Sequence, residues 1–170
     1  QEVILRLVVA TAISAVVGME REYHNKPAGL RTNIMVGLGS TLMTIASVKA
    51  AELASVSGPV DPTRIAAQIV TGIGFIGAGA ILRPTGGDTR NVVGLTTAAT
   101  LWVVAGLGIA VGMGFFLESF VSVVLVLFTF LALRPVVMRM RTYTKAHPPR
   151  SVQEDEDVLR GHHGRETAEQ

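Results

Sequence analysis

The residues with the most chemical potential lie in one run. Asp61-Pro62-Thr63-Arg64 is followed by Gln68, Thr71, Gly72, Gly74, Gly77 and Gly79. Gly72, Gly74 and Gly77 make a Gly-x-Gly-x-x-Gly pattern, which in a soluble protein cradles a dinucleotide pyrophosphate. That chemistry needs a strand before the glycines and an amphipathic helix after them. Here both flanks are apolar, and no Gly-Lys-Ser/Thr occurs that would make a phosphate loop. The glycines therefore read as helix-packing residues. Lipid tails are as apolar as leucine, so membrane helices associate by close backbone contact at small residues. Gly72 and Gly79 share a face, and Gly74 with Ala78 makes a small-xxx-small pair, which predicts a central helix contacted on several sides. Packing alone and packing with a role in a pathway are both open.

Arg64, Gln68 and Thr71 fall at helical spacing on one stripe. Arg64 is near enough to the surface to extend its guanidinium to water. Gln68 is deeper, and an unpaired amide in hydrocarbon costs several kcal/mol. It predicts either an interhelical hydrogen bond or a polar cavity.

A second group gathers at one membrane edge. Glu20 and Arg21 follow the first apolar run, Arg31 and Asn33 open the second, and Arg90 and Asn91 open the fourth. Glu20 with Arg31 or Arg90 predicts a charge-assisted cluster that would fix two hairpins to each other. Thr96, Thr97 and Thr100 form a polar face on the fourth helix, and Ser40, Thr41 and Thr44 one on the second. Such hydroxyls can bond back to their own helix. Neither a nucleophile–base pair nor a metal motif is visible, and His24, His147, His162 and His163 all fall outside the apolar runs, so no catalytic residue is assigned. Magnesium prefers oxygen ligands, usually carboxylates, and no carboxylate lies mid-helix. Metal ligands are therefore left open, with Mg2+ as a ligand or a substrate, and no cofactor is expected.

These residues are carried by apolar segments. Hydrophobic residues make up 49 % of the 170-residue chain and charged ones 16 %. Residues 65–82, 92–116 and 119–133 contain no Asp, Glu, Lys or Arg. Runs of about 18 or more are transmembrane candidates. The sequence predicts an all-α polytopic membrane protein with five helices: Val3–Met19, Thr32–Leu53, Pro62–Leu82, Asn91–Val111 and Phe115–Met138. Asp61 is the expected N-cap of the third, with Pro62 at its first position. Arg134-Pro135 should kink the fifth or end its buried part. Apolar sequence begins at Val3, which fits a clipped start.

Orientation follows from Lys and Arg. Ten lie in the segments after helices 1 and 3 and in the stretch from Arg134 to Arg150, against Arg6, Lys49 and Arg64 on the other side. That predicts the N-terminus outside and the C-terminus in the cytoplasm. The same distribution explains the basic pI without nucleic acid. Arg31, Thr41 and Leu42 repeat as Arg90, Thr100 and Leu101, consistent with two parallel hairpins plus a fifth helix. Residues 1–138 form the expected transmembrane domain and 139–170 a polar tail. From Lys145 the tail has little to bury, so disorder is expected, apart from a short helix near Val152 to Leu159. Zero cysteines exclude disulfides and thiolate chemistry.

Three stretches resemble the MgtC/SapB family of bacterial inner-membrane proteins. They are Gly18-Met19-Glu20-Arg21-Glu22 with Ala28-Gly29-Leu30-Arg31-Thr32, then Asp61 through Gly79, then Val93 through Trp102. The resemblance implies a role in growth at low magnesium and, in pathogens, survival inside host cells. It also implies binding to other membrane proteins, the F-type ATP synthase among them, or self-association. Many relatives carry a soluble C-terminal domain, and the residues after 138 are too few for one. Three hypotheses follow: a non-enzymatic membrane regulator acting by helix contact, a direct Mg2+ or other cation transporter or channel, and a membrane enzyme. The first fits the glycine content best.

Overall fold

The computed structural model describes residues 1–54, 61–81 and 93–146, without the side chains of residues 134, 136, 137 and 140–146. Five α-helices follow one another: α1 (Glu2–Tyr23), α2 (Leu30–Ala54), α3 (Arg64–Ala80), α4 (Leu95–Met113) and α5 (Phe116–Ala146). α1, α2, α4 and residues Phe116–Leu133 of α5 are long and apolar enough to cross a membrane, while α3 is a shorter apolar helix. The chain is all-helical and has the character of a membrane protein. Large apolar side chains such as Ile4, Met35, Phe75 and Leu117 point outward, as expected where the surrounding medium is hydrocarbon rather than water.

The chain divides into two units, residues 1–127 and 128–170. The first holds α1 to α4 and the opening turns of α5. Within it, α2 and α4 form the centre: α2 packs on α1 and α4, and α4 also packs on α3. The second unit holds the remainder of α5, which continues as helix through Pro135. Pro135 therefore does not end the helix, and α5 runs past the expected boundary at 138. In transmembrane helices, neighbouring groups commonly re-satisfy the carbonyl that proline leaves free.

The centre depends on glycine. A methyl group on Gly108 would sit 2.5 Å from the Gly37 carbonyl oxygen, and one on Gly112 2.7 Å from Thr44 Cβ. Gly37, Ser40, Thr41 and Thr44 climb α2 as Val104, Gly108 and Gly112 climb α4, so the two helices run parallel. Small residues one turn apart on one face let the backbones approach. α3 lacks that register. Gly72, Gly74 and Gly79 have nothing within 4 Å of a would-be Cβ, and Gly77 alone among them meets a neighbour, Ala98, at 3.6 Å. The expected central helix is thus α4, with α2, while α3 is peripheral. The α3 glycines point in different directions, so one contact face uses only one of them.

Helix ends follow backbone signals more than hydropathy. α1 continues through Glu20, Arg21 and Glu22 to Tyr23, because nothing breaks it before Asn25 and Ala28, both at positive φ. α3 begins at Arg64 rather than Pro62, and its N-cap is Thr63 rather than Asp61. The Asp61 carboxylate accepts the Thr63 N–H at 2.8 Å and the Thr63 hydroxyl at 2.7 Å. That closes an Asx turn over Pro62 instead of capping the helix. α4 opens at Leu95 behind Gly94, whose φ of 96° suits glycine. α3 ends at Ala80, with Ile81 extended, short of the expected end at Leu82; Asn91 itself and the tail from 147 lie outside the described residues.

Candidate functional site

α3 presents two faces. Ala66, Ile73 and Gly77 are buried. At 100° per residue, Arg64, Gln68, Thr71 and Phe75 fall on the opposite side, and all four are exposed. The polar stripe read from the sequence is therefore turned away from the bundle. The Thr71 hydroxyl is bonded back to the Ala67 carbonyl at 3.2 Å. The Gln68 amide makes no hydrogen bond among the described residues. It lies four residues, or about 6 Å, along the helix from Arg64, so its unpaired amide projects outward at the edge of the apolar zone.

Two recesses flank this helix where it faces α2. Nearer Arg64 is a cavity of about 570 Å³ whose polar lining is Ser47, Asp61, Thr63, Arg64 and Gln68. The Ser47 hydroxyl donates to the Pro62 carbonyl at 2.7 Å and ties α2 to the turn ahead of α3. The Thr63 hydroxyl, and secondly the Thr63 N–H, hold the Asp61 carboxyl below the usual carboxylate range, with Arg64 adding to the effect. Nearer Arg31 is a larger and mostly apolar groove of about 710 Å³. Gln68 borders the outer rim of the recess nearer Arg64, whose lining is mostly apolar, and no interhelical hydrogen bond holds it among the described residues.

The edge cluster assembles differently from expectation. The Glu20 carboxylate pairs with the Arg21 guanidinium on its own helix and with His24 Nδ1 at 3.0 Å. Their side chains are 10 %, 7 % and 15 % exposed. Arg31 is not a partner of Glu20; it is exposed at the mouth of the apolar groove. Glu20 and His24 are four residues apart, the spacing at which helical neighbours meet, so the carboxylate finds its partners locally. His24 is a member that its position outside the apolar run concealed, although its spacing from Glu20 could have revealed it. Arg90 and Asn91 lie outside the described residues.

Asn33 is fully buried and donates to the Ala28 and Gly29 carbonyls at 2.6 and 2.8 Å. Glu22 accepts the Leu30 N–H at 2.9 Å. These bonds lock the α1–α2 turn and give Asn33 a structural role. Asn33 Oδ1 and Ser14 Oγ are buried without a hydrogen-bond partner among the described residues.

Thr97 and Thr100 are buried, while Thr96 is exposed. The Thr100 hydroxyl donates to the Thr96 carbonyl at 2.7 Å, and Thr44 to Ser40 at 2.8 Å. Thr41 shares its proton between the Gly37 and Gly108 carbonyls. Each of these hydroxyls donates to a backbone carbonyl, and among the three that of Thr41 joins α2 to α4. Arg6 performs a related task at the far end of α4, donating to the Gly112 carbonyl at 2.7 Å, where the helix dipole favours a cation.

The pattern that defines the MgtC family matches residues 7–139. Protein SapB of Bacillus subtilis is 45 % identical over 129 residues, covering 74 % of this chain and 54 % of its own length. The protein named "Putative magnesium transporter YhiD" of Escherichia coli is 47 % identical over 117 residues, covering 68 % and 53 %. Protein MgtC of Salmonella typhimurium is 40 % identical over 137 residues, covering 81 % and 54 %. The chain spans about half the length of these curated relatives. No solved structure matches it.

Proposed function

The chain belongs to the MgtC family, and on that premise we propose that it serves adaptation to low magnesium by contacting other membrane proteins. In this reading it is a multi-pass protein of a bacterial inner membrane, with its N-terminus outside and C-terminus in the cytoplasm. It carries out no reaction of its own. The observation that carries the reading is Gln68, exposed on the outward face of α3 beside Thr71 and Phe75. An amide facing hydrocarbon is costly unless a neighbour accepts and donates to it. A partner helix with its own polar group supplies that bond, worth about 0.6 to 2 kcal/mol. The absence of enzymatic activity is inferred from the hydroxyls on α2 and α4. A hydroxyl nucleophile needs an adjacent base, and those of Thr41, Thr44 and Thr100 are given to carbonyls.

A second reading is direct Mg2+ transport, favoured by the cavity beside Asp61 and Gln68 and by the name of the Escherichia coli relative. The cavity suits the ion poorly. Asp61 is its single carboxylate among the described residues, one oxygen of it already serves Thr63, and Arg64 adds positive charge. Magnesium flux into liposomes holding the purified chain separates the two. The proposal expects flux no greater than empty liposomes and a membrane protein that co-purifies with wild type but not with Gln68→Leu. Flux that Gln68→Leu abolishes would establish transport instead.

A further inference from the structure

We propose that the groove between α2 and α3 binds an anionic phospholipid, its phosphate on Arg31 and one acyl chain lying along Gly39 and Gly72. The groove of about 710 Å³ is polar at its mouth and almost wholly apolar beyond it. Arg31 and Thr32 stand there exposed, at the end of the bundle that also holds Glu20, Arg21 and His24. Arg31 makes no ion pair among the described residues, so its charge is available to a phosphate. Basic pockets between helices at headgroup level suit anionic lipid headgroups.

Length decides between a lipid and a helix. Along α2 the groove runs from Arg31 to Met43, about 18 Å at 1.5 Å per residue. A transmembrane helix needs about 30 Å, whereas one leaflet offers about half that. The trough therefore matches a single acyl chain hanging from a headgroup. Its floor is kept open by two glycines: a Cβ added at Gly39 or Gly72 meets nothing within 4 Å. A side chain begun at either position would therefore start into open space.

The test uses the full chain in mild detergent, offered phosphatidylglycerol or phosphatidylcholine, with bound lipid counted by native mass spectrometry. Wild type should retain one phosphatidylglycerol in preference to phosphatidylcholine. Arg31→Gln should reduce that preference about fivefold, the effect of one headgroup-level cation. Gly72→Leu and, independently, Gly39→Leu should lose retention. Gly106→Leu, at another exposed glycine with open space, should behave as wild type. Circular dichroism and elution volume verify that each variant is folded. Equal retention of the two lipids, retention unchanged in both groove variants, or a polypeptide that co-purifies with wild type and is lost from both groove variants would each overturn the proposal.

Discussion

The hydroxyl of Thr41 on α2 donates to the carbonyl oxygen of Gly108 on α4 at 2.8 Å, joining residues 67 positions apart in the chain. The bond exists because Gly108 has no side chain to hold the helices apart. Gly108→Ala would set its methyl against the Gly37 carbonyl and Ser40 Cβ. Overpacking of this kind costs about 1–3 kcal/mol. Gly106→Ala, with open space at its Cβ, should be close to neutral. Thermal unfolding in detergent distinguishes them, and Thr41→Val should fall between.

Ser14→Ala should leave stability unchanged or raise it by about 1 kcal/mol. The Ser14 hydroxyl is buried without a partner among the described residues, and an unsatisfied buried polar group costs about 1–3 kcal/mol. Denaturation of the purified chain in mixed micelles reads the sign. A loss of stability would mean that this hydroxyl has a partner.

The Asx turn ahead of α3 makes a prediction about pH. Because the Asp61 carboxyl is lowered in the folded chain, its stabilising effect is present above the ordinary aspartate value of about 3.9. It is lost as pH falls through the lower folded value. Thr63→Ala removes the largest cause and should move the carboxyl back towards the ordinary value, with the backbone bond retaining part of the shift. A carboxyl carbon NMR titration of Asp61 measures both.

Much of this architecture was legible in the sequence, because charge-free runs of membrane length permit few alternatives. The α2–α4 interface was not. Gly108 and Gly112 sit in an uninterrupted apolar stretch, whereas the α3 glycines stand out by number. Glycine count marks where a backbone can be approached, and only the register between two helices decides where it is. Gly37, Thr41 and Thr44 on α2 match Gly108 and Gly112 on α4 one turn at a time, and no single helix reveals that match. The direction of the Arg64–Gln68–Thr71 stripe was hidden for a similar reason. Spacing places residues on one face, but not on the face turned inward. Asp61 differed because its carboxylate bonds two residues ahead as easily as it caps a helix.

If contact through α3 is the working principle, Gln68→Leu should fold normally, since the side chain is exposed and makes no bond among the described residues. It should nevertheless fail to support growth under magnesium limitation in cells lacking the protein. Gln68→Asn, which keeps the amide, should retain part of that support. Equal growth of wild type and Gln68→Leu would separate the residue from the function.

The most direct test is photo-crosslinking in the native membrane. A benzoylphenylalanine at Thr71 or at Phe75, the latter 85 % exposed on the outward face of α3, should form an adduct with a second polypeptide. The adduct should vanish when Gln68→Leu is added. The same probe at Leu42 on α2, itself 52 % exposed, should yield none. Failure of positions 71 and 75 to capture any polypeptide, with a yield no different from position 42, would contradict the account.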